Sequence, residues 1–315
     1  MTSTHERDGI DAASNSGSLI LRTPEEVSTI EVDMVSPATK RPATTSARPG
    51  QPRGSARRRS LPDWTLPWVG VLVVLSSFEL ASRTGVVSGR NFPPVSEMFA
   101  ALGDLIVTGA FWESVGQTLQ GWGLGLGIAI LISVPFGIVL GASQPLYRAT
   151  RGVVEFLRPI PSVALIPLAV LIYGTGLESK VFLAAFACTW PLLLQTIYGV
   201  QDVDPVATDT ARSFGFSRPQ RLLRVTLPSA VPYIATGVRI SSSVALILAV
   251  TAEIVIGAPG LGREVNLARQ GGAFDVMYAL IIATGLLGWA LNAFFTRAER
   301  QVLHWHPSQR TEQAS

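Results

Sequence analysis

The sequence predicts an all-α protein, a polytopic membrane bundle of about six transmembrane helices with both termini cytoplasmic. Three observations carry this reading. Of the 315 residues, 48% are hydrophobic and only 15% charged, too apolar and too charge-poor for an ordinary soluble domain. Windows of about 19 residues find apolar runs over 64–82, 115–142, 153–173, 181–200, 228–256 and 276–295. The basic residues then alternate between the connecting segments. Arg53, Arg57, Arg58 and Arg59, then Arg148, Arg151 and Arg158, then Arg212, Arg218, Arg221 and Arg224, then Arg297, Arg300 and Arg310 fall on one side, against Arg83, Arg90, Lys180, Arg263 and Arg269 on the other. Basic residues accumulate on the cytoplasmic side, so this asymmetry orients the chain.

Residues 1–60 are rich in Ser, Thr, Pro and Arg and poor in aromatics, a composition that cannot bury enough apolar surface to offset its ordering entropy. They read as a disordered basic cytoplasmic tail ahead of a membrane domain over 61–300, with a short cytoplasmic tail over 301–315. Trp64 and Trp68 stand where an interfacial aromatic belt would place them.

The second run carries Gly121 with Gly125, Gly123 with Gly127, and Gly137 with Gly141. Small residues four apart let helix backbones approach closely, so this helix is expected to be buried among its neighbours. The third run contains Pro159, Pro161 and Pro167, each removing a backbone donor. A broken helix at membrane depth is tolerated where it packs in protein or lines a cavity, so the segment reads either as a wall of a pathway or as a simple kink.

Between the fourth and fifth runs lies a polar, arginine-bearing segment. Asp204 precedes Pro205 as a helix N-cap, Ala207, Ala211 and Phe214 share one face, and Gly215 sits where a left-handed C-cap ends a helix. Ser217 and Gln220 have capping-box spacing, opening a second short helix with Arg218, Arg221 and Arg224 on its ridge, expected to end at Leu227-Pro228. The segment is thus a compact helix–turn–helix, and on residues alone it is equally a lipid-surface loop with topogenic arginines.

Few ionisable residues fall inside the runs, which makes each a functional candidate. Arg239 and Glu253 lie fourteen apart in the fifth run, about 21 Å along a helix axis, and cannot pair directly. Arg239 reads either as an attractor for an anionic substrate or as a partner of a backbone carbonyl or neighbouring carboxylate. Glu253 reads as part of an outer gate or as an interfacial residue, and Ser242 supplies a hydroxyl on the same run. Glu79 closes the first run as an interfacial residue. Enzyme chemistry is not expected. The histidines are His5, His304 and His306, all in tails, and Cys188 is the single cysteine, so neither a metal site nor a Ser/His arrangement is in view, and no cofactor and no nucleic-acid partner are expected. The stretch nearest to a phosphate-binding loop, 174–180, lacks the Gly-Lys pair.

Asp209-Thr210-Ala211, three residues, Gly215, nine residues, Val225, one residue and Leu227-Pro228 resemble the "EAA" loop of permease subunits of binding-protein-dependent ABC importers, with Asp for Glu, Thr for the first Ala and Val for Ile. The resemblance extends from about Phe92 to Phe295 and is most similar to the nitrate/sulfonate/taurine type. It implies that the 201–227 loop, through Asp209, Thr210, Ala211, Gly215, Val225, Leu227 and Pro228, docks on a separate cytoplasmic ATP-binding subunit, two copies per transporter. It also implies a second permease copy, an extracytoplasmic substrate-binding protein, and residence in the lipid bilayer of the bacterial inner membrane. Pathway candidates are then Pro159, Pro161, Pro167, Arg239, Ser242 and Glu253. The substrate implied is a sulfonate, taurine or nitrate-like anion. The rival readings are an ion-coupled secondary transporter and the same importer class carrying a vitamin or vitamin precursor.

Overall fold

In hydrocarbon a backbone has to satisfy its own hydrogen bonds, so long apolar segments fold as helices. The computed structural model describes residues 66–85 and 91–303, and helix is the regular structure found among them, with no strand. The expected tail over 1–60, Trp64, Arg90 and the chain beyond Leu303 lie outside the described residues.

The chain runs through α1 (Leu66–Arg83), α2 (Val95–Ile106), α3 (Gly109–Ala142), α4 (Gln144–Leu157), a 3-10 turn (Ser162–Leu165), α5 (Ile166–Tyr173) and α6 (Leu177–Gln201). It continues through α7 (Pro205–Ser213), α8 (Arg218–Arg221), a π turn (Leu222–Thr226), α9 (Leu227–Ile256), α10 (Leu261–Gly271) and α11 (Phe274–Val302). Among the described residues, four helices are long and apolar enough to cross a membrane: α3, α6, the unbroken Arg218–Ile256 helix and α11.

The expected third run is broken, as its prolines suggest: α4 and the segment Ser162–Tyr173 meet at 79°, a broken span if the two count as one. Pro159 and Pro161 stand in the break, where two residues with no N–H to donate cannot continue the hydrogen bonding of α4. The expected first run is α1, whose 18 residues rise about 27 Å, just under the ~30 Å of a hydrocarbon core. Trp68, Leu72 and Leu80 on it are exposed, and α1 is not among the four helices long and apolar enough to span.

At the centre α3, α6 and α9 pack together. Gly121 meets Lys180 and Gly141 meets Val200, so α3 and α6 run parallel, while Gly199 meets Tyr233 and α9 runs back antiparallel against α6. The expected glycine face of α3 is seen in two of its three pairs. A Cβ at Gly125 would stand 2.6 Å from the Cβ of Ala184, one at Gly137 2.6 Å from Thr196, and one at Gly141 2.7 Å from Val200, whereas Gly123 and Gly127 meet nothing within 4 Å. Trp289 on α11 and Leu131 and Phe136 on α3 point outward. α2, α10 and α11 close the end opposite the 204–227 loop around Leu102, Phe111, Leu261 and Leu280.

Because backbone and Cβ atoms line these contacts, overpacking them costs about 1–3 kcal/mol per site. Gly125→Leu and Gly141→Leu are expected to lower the unfolding temperature of the purified protein by several degrees, and Gly127→Ala to leave it unchanged, as read in a thermal melt in detergent.

Candidate functional site

The 204–227 loop is built by local hydrogen bonding. Asp204 caps α7, its Oδ1 accepting from Val206 N–H at 2.8 Å, with Pro205 in the first turn. The helix ends in a Schellman turn: Phe216 N–H donates to Ala211 O at 3.0 Å, and Gly215 N–H to Arg212 O at 2.9 Å. Gly215 takes φ +78°, a conformation open to glycine at little cost. Gln220 reaches back to accept from Ser217 N–H at 2.8 Å, starting α8. The N-cap, the glycine turn and the capping-box spacing expected from the sequence are therefore present.

The expected end at Leu227-Pro228 is corrected. Helix continues through these residues, because the π turn over Leu222–Thr226 lets Leu227 N–H donate to Leu222 O. Widening the turn re-partners the backbone just before Pro228, which has no N–H to give. The result is one helix of 39 residues from Arg218 to Ile256. Of the face expected at Ala207, Ala211 and Phe214, only Ala211 is buried. Asp209 and Thr210 are exposed, Val225 and Leu227 are half-buried, and Pro228 is exposed. Val206, Phe214 and Leu223 stand out from this polar loop as exposed apolar side chains.

Partway along α9, Arg239 Nε lies 3.2 Å from Glu299 Oε2 of α11, and Thr236 donates to the same carboxylate at 3.1 Å. This is the neighbouring-carboxylate alternative for Arg239. Ser242 is buried, and its carbonyl accepts from Trp122 Nε1 at 3.0 Å. Ser241 and Cys188 exchange hydrogen bonds between α9 and α6 at 3.0 and 3.1 Å.

Near the far end of α9, Glu253 is fully buried rather than interfacial. Lys180, which the sequence places in an external segment, is also buried, in the first turns of α6, with its Nζ 2.9 Å from Glu253 Oε1. The ammonium donates further to Gln117 O and Pro259 O, each at 2.8 Å, filling its three positions. Glu253 Oε2 accepts from Thr118 Oγ1 at 3.0 Å and from Gly262 N–H at 2.9 Å, and Thr118 in turn accepts from Leu261 N–H at 2.9 Å. Glycine makes room for both charges. A Cβ at Gly121 would stand 2.3 Å from Lys180 Cε, and one at Gly260, where φ is +147°, 2.1 Å from Glu253 Oε1. Sequence reasoning missed the lysine although a signal existed, since a carboxylate buried at membrane depth needs a cation and Lys180 is one of two lysines.

The remaining candidates lie elsewhere. Pro159, Pro161 and Pro167 are exposed on the bent α4–α5 segment, beside exposed Val163, Leu168 and Leu171. The structure brings Glu253 to Lys180 and Arg239 to Glu299, and it does not bring the prolines to either pair. Among the described residues no His/Cys/Asp/Glu group that could hold a metal is present.

A bundle of long apolar helices, a bent segment, and a polar helical loop continuous with a core helix make this a polytopic membrane protein by length and composition. The model of the family "Binding-protein-dependent transport system inner membrane component" matches residues 133–303. The chain is 30% identical over 246 residues to the taurine transport system permease protein of Escherichia coli strain K12, covering 76% of this chain and 89% of that one. It is 29% identical over 252 residues to a putative aliphatic sulfonates transport permease protein of the same organism, covering 80% and 94%. To the nitrate import permease protein of Leptolyngbya laminosa it is 27% identical over 246 residues, covering 76% and 86%. A chain of the inward-facing MetNI methionine ABC transporter shares the fold, with a TM-score of 0.55 at 21% identity, covering 61% of this chain and 96% of that one. The chain belongs to the binding-protein-dependent transport system inner membrane component family, and is an ABC importer permease subunit.

Removing one member of a buried ion pair strands the other, at a cost of about 3–5 kcal/mol. Lys180→Met and Glu253→Gln are each expected to reduce folded yield and unfolding temperature sharply. Lys180→Met with Glu253→Met should recover part of the loss, a coupling of about 1–3 kcal/mol read from a double-mutant cycle of thermal melts.

Proposed function

We propose that this permease subunit forms, with a second and identical copy, the translocation pathway of an ATP-driven importer for a small oxyanion, an alkanesulfonate or taurine first and nitrate next. The loop end of the bundle faces the cytoplasm of a bacterial cell, and the chain resides in its inner membrane. A separate ATP-binding subunit, two copies per transporter, seats on the loop, and an extracytoplasmic binding protein delivers the substrate at the far end.

The observation that carries this reading is the continuity of the loop with α9. A push on α8 is transmitted along a helix of 39 residues, about 58 Å at 1.5 Å per residue, whose far end is tied to α3 and α6 by Glu253. Exposed Val206, Phe214 and Leu223 give the loop the apolar contacts that a docking surface on an otherwise polar element needs. Asp209, Thr210, Ala211, Gly215, Val225, Leu227 and Pro228 hold that surface in shape. The substrate class follows the relatives, whose names specify taurine, aliphatic sulfonates and nitrate.

For the pathway, the exposed prolines Pro159, Pro161 and Pro167 and their apolar neighbours form one wall, which a second copy completes. Arg239 and Glu253 are both neutralised by partners within the chain, and Ser242 is packed against α3. Selectivity then rests with the delivering protein more than with charge in the wall. Membership in the importer family favours ATP-driven import over an ion-coupled carrier.

The test is co-purification with uptake. Proline cannot adopt φ +78°, so Gly215→Pro distorts the turn between α7 and α8 while leaving the spanning helices intact. The wild type in mild detergent is expected to bring down a stoichiometric ATPase and Gly215→Pro to lose it, with uptake of labelled taurine or alkanesulfonate abolished. Uptake that persists without the ATPase and stops when the ion gradients are collapsed would overturn the reading.

A further inference from the structure

Three arginines stand on the short α8–π-turn ridge, and the structure separates them. Arg224 lies over the Phe216 ring at 5.7 Å and is accounted for by that contact. Arg218 and Arg221 instead line a cleft of about 590 Å³ at the loop end, between the end of α3, the start of α4, the end of α6, and α7–α8. Arg221 Nε is buried and has no hydrogen-bond partner, and neither guanidinium has an ion-pair partner among the described residues.

A buried guanidinium N–H without an acceptor is costly, and native structures rarely leave one unless something else binds there. Among the described residues no carboxylate lines the cleft. Its other polar lining is Gln144, Gln201, Thr208 and Thr226, all able to donate or accept as neutral groups. The acids of the adjoining linker are engaged elsewhere, Asp202 by the Tyr233 hydroxyl and Asp204 by Val206 N–H. Two cations and neutral donors, with no competing carboxylate among the described lining residues, form a receptor for an oxyanion, and the planar fork of arginine matches a phosphate or sulfate group.

We propose that this cleft is a binding site for a phosphate-type oxyanion, supplied by an anionic phospholipid headgroup or as the free ion. Once bound, the anion ties α8 to the ends of α3 and α6 and stiffens the loop against the bundle. The site is independent of what the transporter carries.

The test uses the full-length chain and two arms. In delipidated detergent, inorganic phosphate is titrated against sodium chloride at matched ionic strength while the unfolding temperature is followed. In the second arm the chain is placed in phosphatidylcholine nanodiscs with and without phosphatidylglycerol. Each arm is repeated with Arg221→Gln, with Arg218→Gln, and with Arg297→Gln, an exposed arginine of α11, as control. A saturable rise with free phosphate, weakened at least about tenfold by loss of either cleft arginine and unchanged in Arg297→Gln, assigns the free ion. A rise confined to phosphatidylglycerol, with the same variant pattern, assigns the headgroup. No saturable rise in either arm of the wild type, or a rise that Arg297→Gln loses as fully as the cleft variants, overturns the proposal. Absence of a saturable rise in the wild type overturns the proposal even if a cleft variant fails to fold, and a fold-competent variant at either cleft arginine suffices to place a rise that is seen.

Discussion

An ammonium group cannot remain in the interior of a membrane bundle without acceptors for all its protons, and the far end of this molecule is arranged around that requirement. Lys180 reaches Glu253, Gln117 O and Pro259 O, so α3, α6, α9 and the turn into α10 are held at a single point. Glu253 brings the same turn back through Gly262 N–H. Close approach of α3 to α6 is a precondition, since any side chain at Gly121 would displace the lysine stem. The glycine face of α3 and the ion pair are therefore one feature seen at two levels, packing and charge. Burial makes the pair a demanding way to hold helices together, because it stabilises only while every donor and acceptor is matched.

The opposite end is held by different means. There the loop itself is built from caps, a Schellman turn and a widened helical turn, all local in sequence, with the Tyr233 hydroxyl bonded to Asp202 beside it. A stiff helix joining a locally built loop to a cross-linked hub is the mechanical arrangement expected of a subunit that receives force at one end and redistributes it at the other.

Much of this was legible in the residues. The spacing of Asp204, Gly215, Ser217 and Gln220 specified the loop because caps and glycine turns depend on neighbours in sequence. Gly125, Gly137 and Gly141 announced a buried face, but the same spacing at Gly123 and Gly127 points to open space, since spacing tells which residues share a face and not what faces them. The break at Pro159 and Pro161 was visible as prolines, and its 79° bend was not, because a bend angle depends on what the two halves pack against. Lys180 escaped for the same reason. Hydropathy places a lysine next to an apolar run in a loop, and only the partner 73 positions away makes its burial tolerable. The passage of helix through Leu227-Pro228 escaped because a π turn leaves no clear mark on composition.

That turn has a consequence for phase. A π turn accommodates one residue more than an α-helical turn, and each residue of an α-helix rotates the chain by about 100°. The angular setting of Arg218 and Arg221 relative to the face of α9 that carries Glu253 is thus decided in five residues, Leu222–Thr226. Remove one of them and both flanking helices keep their hydrogen bonds and their composition, yet the two ends of the rod are clocked differently. The loop then presents another side to whatever it meets, while the ion pair at the far end stays where it was.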